Sequence, residues 1–285
     1  MQKAIIIILL CIPLYVINSF CDKHVSAKYA DSGNVYNTAK FLIGALCFIP
    51  VMIFECTPLF GLGAILCGVL CGIMYAISKT IILKGYECTS VAFMTFCHSA
   101  GMIIPCVAGY LFWNEDISPA AVIGIALTVF SAVLLKGGKS ERKGLSRLGI
   151  LIGLTVFAAS GGVMICQKLM GIYFSSESVS AYNFYSFVVP ALIIGISATK
   201  RNTTTTPIKV LPFAASSAIS LCVISFVMTK LAGSIPSVIM FPLFNGIGIV
   251  LVCIGSVFVF KERLDRKKIL GIVIGLAGLY LINAF

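Results

Sequence analysis

Apolar residues run through this chain in stretches of about twenty, separated by short clusters of polar and charged residues. A bilayer core of ~30 Å needs about twenty apolar residues in helical form. The pattern predicts ten spans, at 4–20, 36–54, 59–83, 90–113, 118–135, 148–173, 179–198, 210–231, 236–260 and 266–285. Backbone in lipid must satisfy its own hydrogen bonds, so these are read as helices. Strands are not expected, because no ten-residue segment alternates apolar and polar side chains. Most connections are a few residues long. The longest, 21–35, 136–147 and 199–209, collect Lys, Arg, Thr and Pro.

Composition narrows the picture. Of 285 residues, 59% are hydrophobic and 11% charged. That is more apolar surface than a soluble chain of this size can cover. No polar stretch is long enough for a separate soluble domain, so the expectation is one all-α integral membrane protein in contact with the lipid bilayer. The opening residues imitate a signal peptide ending at Cys21, but Phe20 stands where cleavage requires a small side chain. The first span is therefore expected to be retained. Twelve cysteines sit almost entirely inside apolar runs, with no Cys-x-x-Cys. They read as reduced, small hydrophobic residues.

The net charge of +11 is placed unevenly. Loops after spans 1, 3, 5, 7 and 9 hold 16 Lys and Arg, and the opposite side holds Lys3 and Lys230 only. Positively charged loops stay in the cytoplasm. The bias predicts a multi-pass cell-membrane protein with both termini extracytoplasmic. Charge confined to short loops between spans also argues against nucleic acid as a partner.

The sequence repeats itself. Shifted by 147 positions, "FWNEDISPAAVIGIAL" at 112–127 meets "VFKERLDRKKILGIVI" at 259–274, so that Glu115 meets Glu262 and Gly124 meets Gly271. The same shift places "SVAFM" at 90–94 on "SVIMF" at 237–241, His98 on Asn245 and Gly101 on Gly248. A shift of 146 places "VYNTAKFLIGAL" at 35–46 on "AYNFYSFVVPAL" at 181–192, and 145 places Lys23 on Lys168. The halves are 1–137 and 145–285, joined by a linker at 138–144, with five helices each. An odd number of spans per half turns the second copy upside down. The expected fold is thus ten transmembrane helices as two inverted five-helix repeats. Such an arrangement carries alternating access in secondary transporters.

These residues resemble the drug/metabolite transporter superfamily, and specifically its EamA-like branch. The resemblance lies in the end of each half, "NEDISPAAVIGIAL" and "KERLDRKKILGIVIGLAGLYLI", a glutamate and a short polar link followed by a Gly-rich apolar helix. It also lies in "NTAKFLIGALCFIP", where Lys40 stands at the place of that family's usual Arg. It spans essentially the whole chain. It implies a transporter of small polar metabolites, by default amino acids or related carboxylated compounds, across the cell membrane. It also implies a central cavity surrounded by helices 1, 3, 4, 6, 8 and 9, with Asn18, Tyr75, His98, Gln167 and Asn245 as candidate substrate contacts. That family commonly keeps its termini in the cytoplasm, opposite to what the loop charges here predict.

Read as residues, Glu115 and Glu262 have two roles open to them. Each is either a coupling carboxylate or an acid favouring the start of the helix that follows it, worth ~0.3–1 kcal/mol. His98 and Asn245 lie within spans four and nine, where a polar group must face the bundle interior or water. They suit a substrate contact or an interhelical hydrogen bond. Lys40 and Lys79 are expected near the cytoplasmic ends of their spans, within reach of the headgroups. Lys168 is expected nearer the opposite face. If these bases line the path, they favour a substrate with a carboxylate or phosphate. No acid is expected deep in the membrane to accompany them. Tyr182 and Asn183 add to a polar and aromatic lining, and Gly68/Gly72, Gly149/Gly153 and Gly271/Gly275 read as helix-packing pairs.

No cofactor and no metal site are expected. The two histidines, His24 and His98, are far apart without paired carboxylates. "GGKS" at 137–140 lacks the rest of a phosphate loop, and "NTT" at 202–204 is a glycosylation sequon on a loop placed inside. The expected partners are a small-molecule substrate and a coupling proton or ion, and a monomer is compatible with the pattern. An enzyme is not expected, since an intramembrane enzyme would need a deep catalytic pair and only His98 qualifies. A non-transporting scaffold or sensor would carry a soluble interaction domain.

Overall fold

The computed structural model describes residues 2–29, 32–55, 61–88, 94, 97–98, 100–136, 147–174, 178–199, 207–259 and 266–284. Among these the secondary structure is helical, without strands. Ten helices follow one another: α1 Gln2–Lys28, α2 Gly33–Glu55, α3 Leu62–Cys88, α4 Ile103–Phe112, α5 Pro119–Lys136, α6 Arg147–Tyr173, α7 Val179–Thr199, α8 Leu211–Leu231, α9 Ser237–Val259 and α10 Arg266–Ala284. Among the described residues, seven are long and apolar enough to cross a membrane, namely α1, α2, α3 and α6 to α9. The apolar parts of α4, α5 and α10 are shorter.

The main departure from expectation is at α1. The apolar run ends near residue 20, but the helix continues to Lys28. No Gly or Pro stands between Pro13 and Gly33 to stop it. The expected long loop at 21–35 is therefore mostly helix, and Lys23 and Lys28 belong to α1.

The chain divides into two compact units, residues 1–80 with 166–234, and residues 81–165 with 235–285. Each unit takes helices from both sequence halves, and the division falls inside α3 and α6.

In the first unit α2 packs on α7 and α8, and α1 packs on α8. Its core contains Phe41, Phe48, Ala76, Phe187, Ile194 and Cys222. The rings of Phe41 and Phe187 meet edge to face with centroids 5.7 Å apart, a favoured aromatic geometry. Gly44 lies against Phe187, and Gly195 against Thr38, so α2 and α7 run antiparallel. Gly68 and Gly72 of α3 press on the backbone of α7 near Tyr182 and Ser186. The helix-packing reading of that pair holds.

In the second unit α5 and α10 lie backbone to backbone. A Cβ on Gly124 would stand 2.6 Å from the Gly278 carbonyl oxygen, and one on Gly278 would stand 2.7 Å from that of Gly124. The Ser131 hydroxyl donates to the Gly271 carbonyl at 2.7 Å. Residue 124 meets 278 and 131 meets 271, so these helices are also antiparallel. Close approach of this kind replaces the hydrophobic effect as the source of helix association in lipid. The described cysteines are free, and eight of the ten are buried; Cys56 lies outside the described residues, as does the side chain of Cys88.

Candidate functional site

The strongest polar site lies in the first unit, where the extension of α1 brings Asp22 to the start of α2. Tyr36 and Lys40 are four residues apart on α2 and share a face. The Tyr36 hydroxyl donates to Asp22 Oδ1 at 2.6 Å, and Lys40 Nζ donates to the same oxygen at 2.9 Å. From α3, Lys79 Nζ lies 3.8 Å from Asp22 Oδ2. The Lys40 side chain is fully enclosed at 0% exposure, whereas Asp22 retains 30%. Lys40 thus does not reach for the headgroups as the sequence suggested. A sealed ammonium needs an anionic partner, because desolvation of an isolated ion costs several kcal/mol, and Asp22 is that partner.

The cluster continues along α1. Asn18, one turn before Asp22, accepts a hydrogen bond from the Ser217 hydroxyl of α8. Two residues past Asp22, His24 stacks on Phe213 with centroids 4.7 Å apart. Asn18 therefore borders the charged cluster, in line with its candidacy.

A second, uncharged group sits elsewhere in the same unit. Asn183 is completely buried; its Nδ2 donates to the Val179 carbonyl at 2.8 Å, and its Oδ1 accepts from the Ser225 hydroxyl of α8. Neighbouring Tyr182 is also completely buried, and its hydroxyl has no hydrogen-bond partner among the described residues. Tyr75 of α3 packs against Phe41 at 5.6 Å and Phe187 at 6.4 Å between centroids. Gln167 and Lys168 are buried on the last turns of α6.

The other end of α2 is tied as well. Glu55 accepts from the Ser180 hydroxyl at 2.7 Å and from Lys230 Nζ at 3.3 Å. This pair is open to solvent, with the Lys230 side chain 52% exposed.

Three predicted residues belong to the second unit. Asn245 Nδ2 donates to the Phe241 carbonyl of its own helix at 2.9 Å, an intrahelical bond. His98 is half-buried, and its carbonyl accepts from the Ser160 hydroxyl at 3.0 Å. Glu115 does serve a helix N-terminus, but not that of the helix it precedes. Its Oε2 accepts from the backbone N–H of Ser237 at 2.7 Å and its Oε1 from the Ser237 hydroxyl at 3.3 Å, so it caps α9. Asn114, in the left-handed region at φ 49°, turns the chain back, and the Glu115 N–H reaches the Gly109 carbonyl at 3.0 Å. Asn tolerates that conformation better than most residues. The start of α5 is capped instead by the Ser118 hydroxyl, on the N–H of Ala121 at 3.1 Å. Glu262 lies outside the described residues.

Seven of the predicted contacts, Asn18, Lys40, Tyr75, Gln167, Lys168, Tyr182 and Asn183, thus fall in the first unit. Asp22, Tyr36, Ser217 and Ser225 were missed. Asp22 stood beyond the apolar run and read as a loop residue, whereas it belongs to the extended end of α1. The one available signal was the uninterrupted helix-compatible stretch from 14 to 32.

The profile of the EamA-like transporter family matches residues 2–136 and again residues 147–284. The chain belongs to that family. It is a multi-pass membrane protein, a transporter of the drug/metabolite type, and members of the family are transporters rather than enzymes. No curated protein matches it in sequence. A solved structure titled "Crystal structure of protein" has the same fold, with a TM-score of 0.83 over 99% of this chain and 97% of the other at 11% identity.

Proposed function

We propose that the protein is a secondary active transporter that moves small carboxylated metabolites, amino acids or related compounds, across the cell membrane by alternating access. The observation that carries the substrate class is the cluster of one carboxylate, Asp22, between two ammoniums, Lys40 and Lys79. It holds one positive charge in excess. A charge held in a site of low dielectric attracts a counter-ion far more strongly than one in water. A substrate carboxylate supplies the missing charge, and the amide of Asn18, which borders the cluster, suits its polar remainder.

Alternating access rests on inversion of the two halves, which the packing supports. By the 147 shift, Gly124 corresponds to Gly271 and Ser131 to Gly278. The contacts are Gly124 with Gly278 and Ser131 with Gly271, each the counterpart of the other. By the 146 shift Phe41 and Phe187 are counterparts, and their rings touch. Reciprocal and self-paired contacts between antiparallel helices are the signature of a two-fold axis across them.

A thermal-shift screen of the purified protein tests the substrate class. Binding to the folded state adds about 2.7 kcal/mol of stability at a ligand concentration of 100 Kd. Amino acids and hydroxy acids are expected to raise the melting temperature, and nucleosides and quaternary amines are not. The reverse ranking would overturn the carboxylate reading. Asn18→Ala is expected to weaken the response, and an unchanged response in His98→Ala would remove His98 from the site.

A further inference from the structure

We propose that Lys79, and not Lys40, is the residue that receives the substrate carboxylate. The inference rests on the carboxylate reading of this site and assigns its excess charge to one side chain.

The two ammoniums differ in what holds them. Lys40 Nζ donates to Asp22 Oδ1 at 2.9 Å and lies 5.6 Å from the centre of the Tyr36 ring. Its side chain is 0% exposed, so no face of it is open to a ligand. Lys79 Nζ stands 3.8 Å from Asp22 Oδ2, beyond hydrogen-bond reach. Its side chain is 26% exposed. Asp22 commits Oδ1 to two donors, Lys40 and the Tyr36 hydroxyl. The charge of Asp22 is thus matched by Lys40, its fixed counter-ion, and the positive charge in excess lies on Lys79.

The charge count then closes with Asp22 and the substrate both ionised. Two ammoniums balance two carboxylates, one pair already sealed and one formed on binding. Lys40 keeps its partner throughout, so no buried ion is left uncompensated. Lys79 gains the short, charge-assisted hydrogen bond that its separation from Asp22 denies it. The second half of the chain does not duplicate the group. At the positions corresponding to Asp22 and Lys40, by the shifts of 145 and 146, stand Gln167 and Ser186. Shifts of 146 and 147 bring Lys79 to Ser225 and Phe226, neither of them charged. One carboxylate bound per molecule is therefore expected.

The test is calorimetric titration of the full-length protein with lactate and L-alanine, each set against its carboxamide. Wild type is expected to bind the acids more tightly than the amides. Lys79→Gln is expected to lose about tenfold or more in affinity for the acids, the value of one charged hydrogen bond, and to bind the amides as wild type does. Lys79→Arg is expected to keep the preference for acids. So is Lys230→Gln, which removes an equal charge from the pair with Glu55. Lys79→Gln is expected to fold, since Asp22 retains Lys40 and Tyr36. A preference for acids that survives in Lys79→Gln, or a Lys79→Gln chain that does not fold, overturns the assignment and leaves the carboxylate reading standing. No preference in wild type, or no binding of either acid, sinks that reading and the assignment with it.

Discussion

Glu115 and Ser237 are 122 residues apart, and the carboxylate of one caps the helix begun by the other, at 2.7 Å from the backbone N–H. The acid favours the partial positive charge of the α9 N-terminus and satisfies a donor that no intrahelical carbonyl reaches. Glu115→Ala is expected to lower stability by about 1–2 kcal/mol, and Glu115→Gln by less, because the amide still accepts. Thermal denaturation in detergent checks both. Transport per folded molecule should not change, and a specific loss of transport in Glu115→Gln would restore the coupling role considered for this residue.

Gly124 and Gly278 face each other across α5 and α10 with no room for a side chain on either. Gly278→Ala sets a methyl group 2.7 Å from the Gly124 carbonyl oxygen, and the two helices must separate. Overpacking of this kind costs roughly 1–3 kcal/mol. Gly195→Ala makes the matched control, since its nearest neighbour would be Thr38 Cγ2 at 3.3 Å. That variant is expected to melt within about a degree or two of wild type, consistent with surface changes of ~0.5 kcal/mol or less. Equal losses in both variants would count against the close-packed seam.

Lys40 and Lys230 both form ion pairs in the first unit, with opposite burial. Lys40→Met removes a sealed partner from Asp22, which keeps Tyr36 and Lys79, and is expected to cost about 1.5–3 kcal/mol. Lys230→Met breaks a pair whose cation is 52% exposed to Glu55 and is expected to cost under ~1 kcal/mol. Added salt should leave the first difference in place and erase the second. Chemical denaturation at two ionic strengths reads both.

Ser225 and Asn183 join α8 to α7 through one buried hydrogen bond. Ser225→Ala is expected to cost about 0.6–1.7 kcal/mol, the range for such bonds inside membranes. The effect should vanish in an Asn183→Leu background, which a double-mutant cycle measures. An additive result would mean the bond contributes nothing.

Loop charge predicts where the ends of the chain lie. Single cysteines introduced at Gln2 and at Lys139, in a variant lacking reactive native thiols, are expected to label from opposite sides, residue 2 from outside and residue 139 from the cytoplasm. The inclusion of Lys23 and Lys28 in α1 does not reverse the bias, because both remain at the end of that helix remote from Lys3. Labelling of residue 2 from the cytoplasm alone would refute the orientation.

The sequence by itself determined the solvent, the helices and the family. Apolar runs of bilayer length leave the backbone no alternative to helix, and nine of the ten predicted spans find one long described helix within a few residues of their predicted limits, apart from the overrun of α1. The repeat offsets were equally legible, because they are relations between letters. Which polar residues meet was decided by the tertiary structure alone. Asp22 became the partner of Lys40 only because α1 continues past its apolar run and α2 presents residues 36 and 40 on one face. Glu115 became the cap of α9 because a turn at Asn114 aims it away from its own helix. Hydrophobic pattern is a property of one segment and survives in one dimension. The pairing of a buried charge is a property of several segments at once, and it is fixed only when packing brings them within about 3 Å.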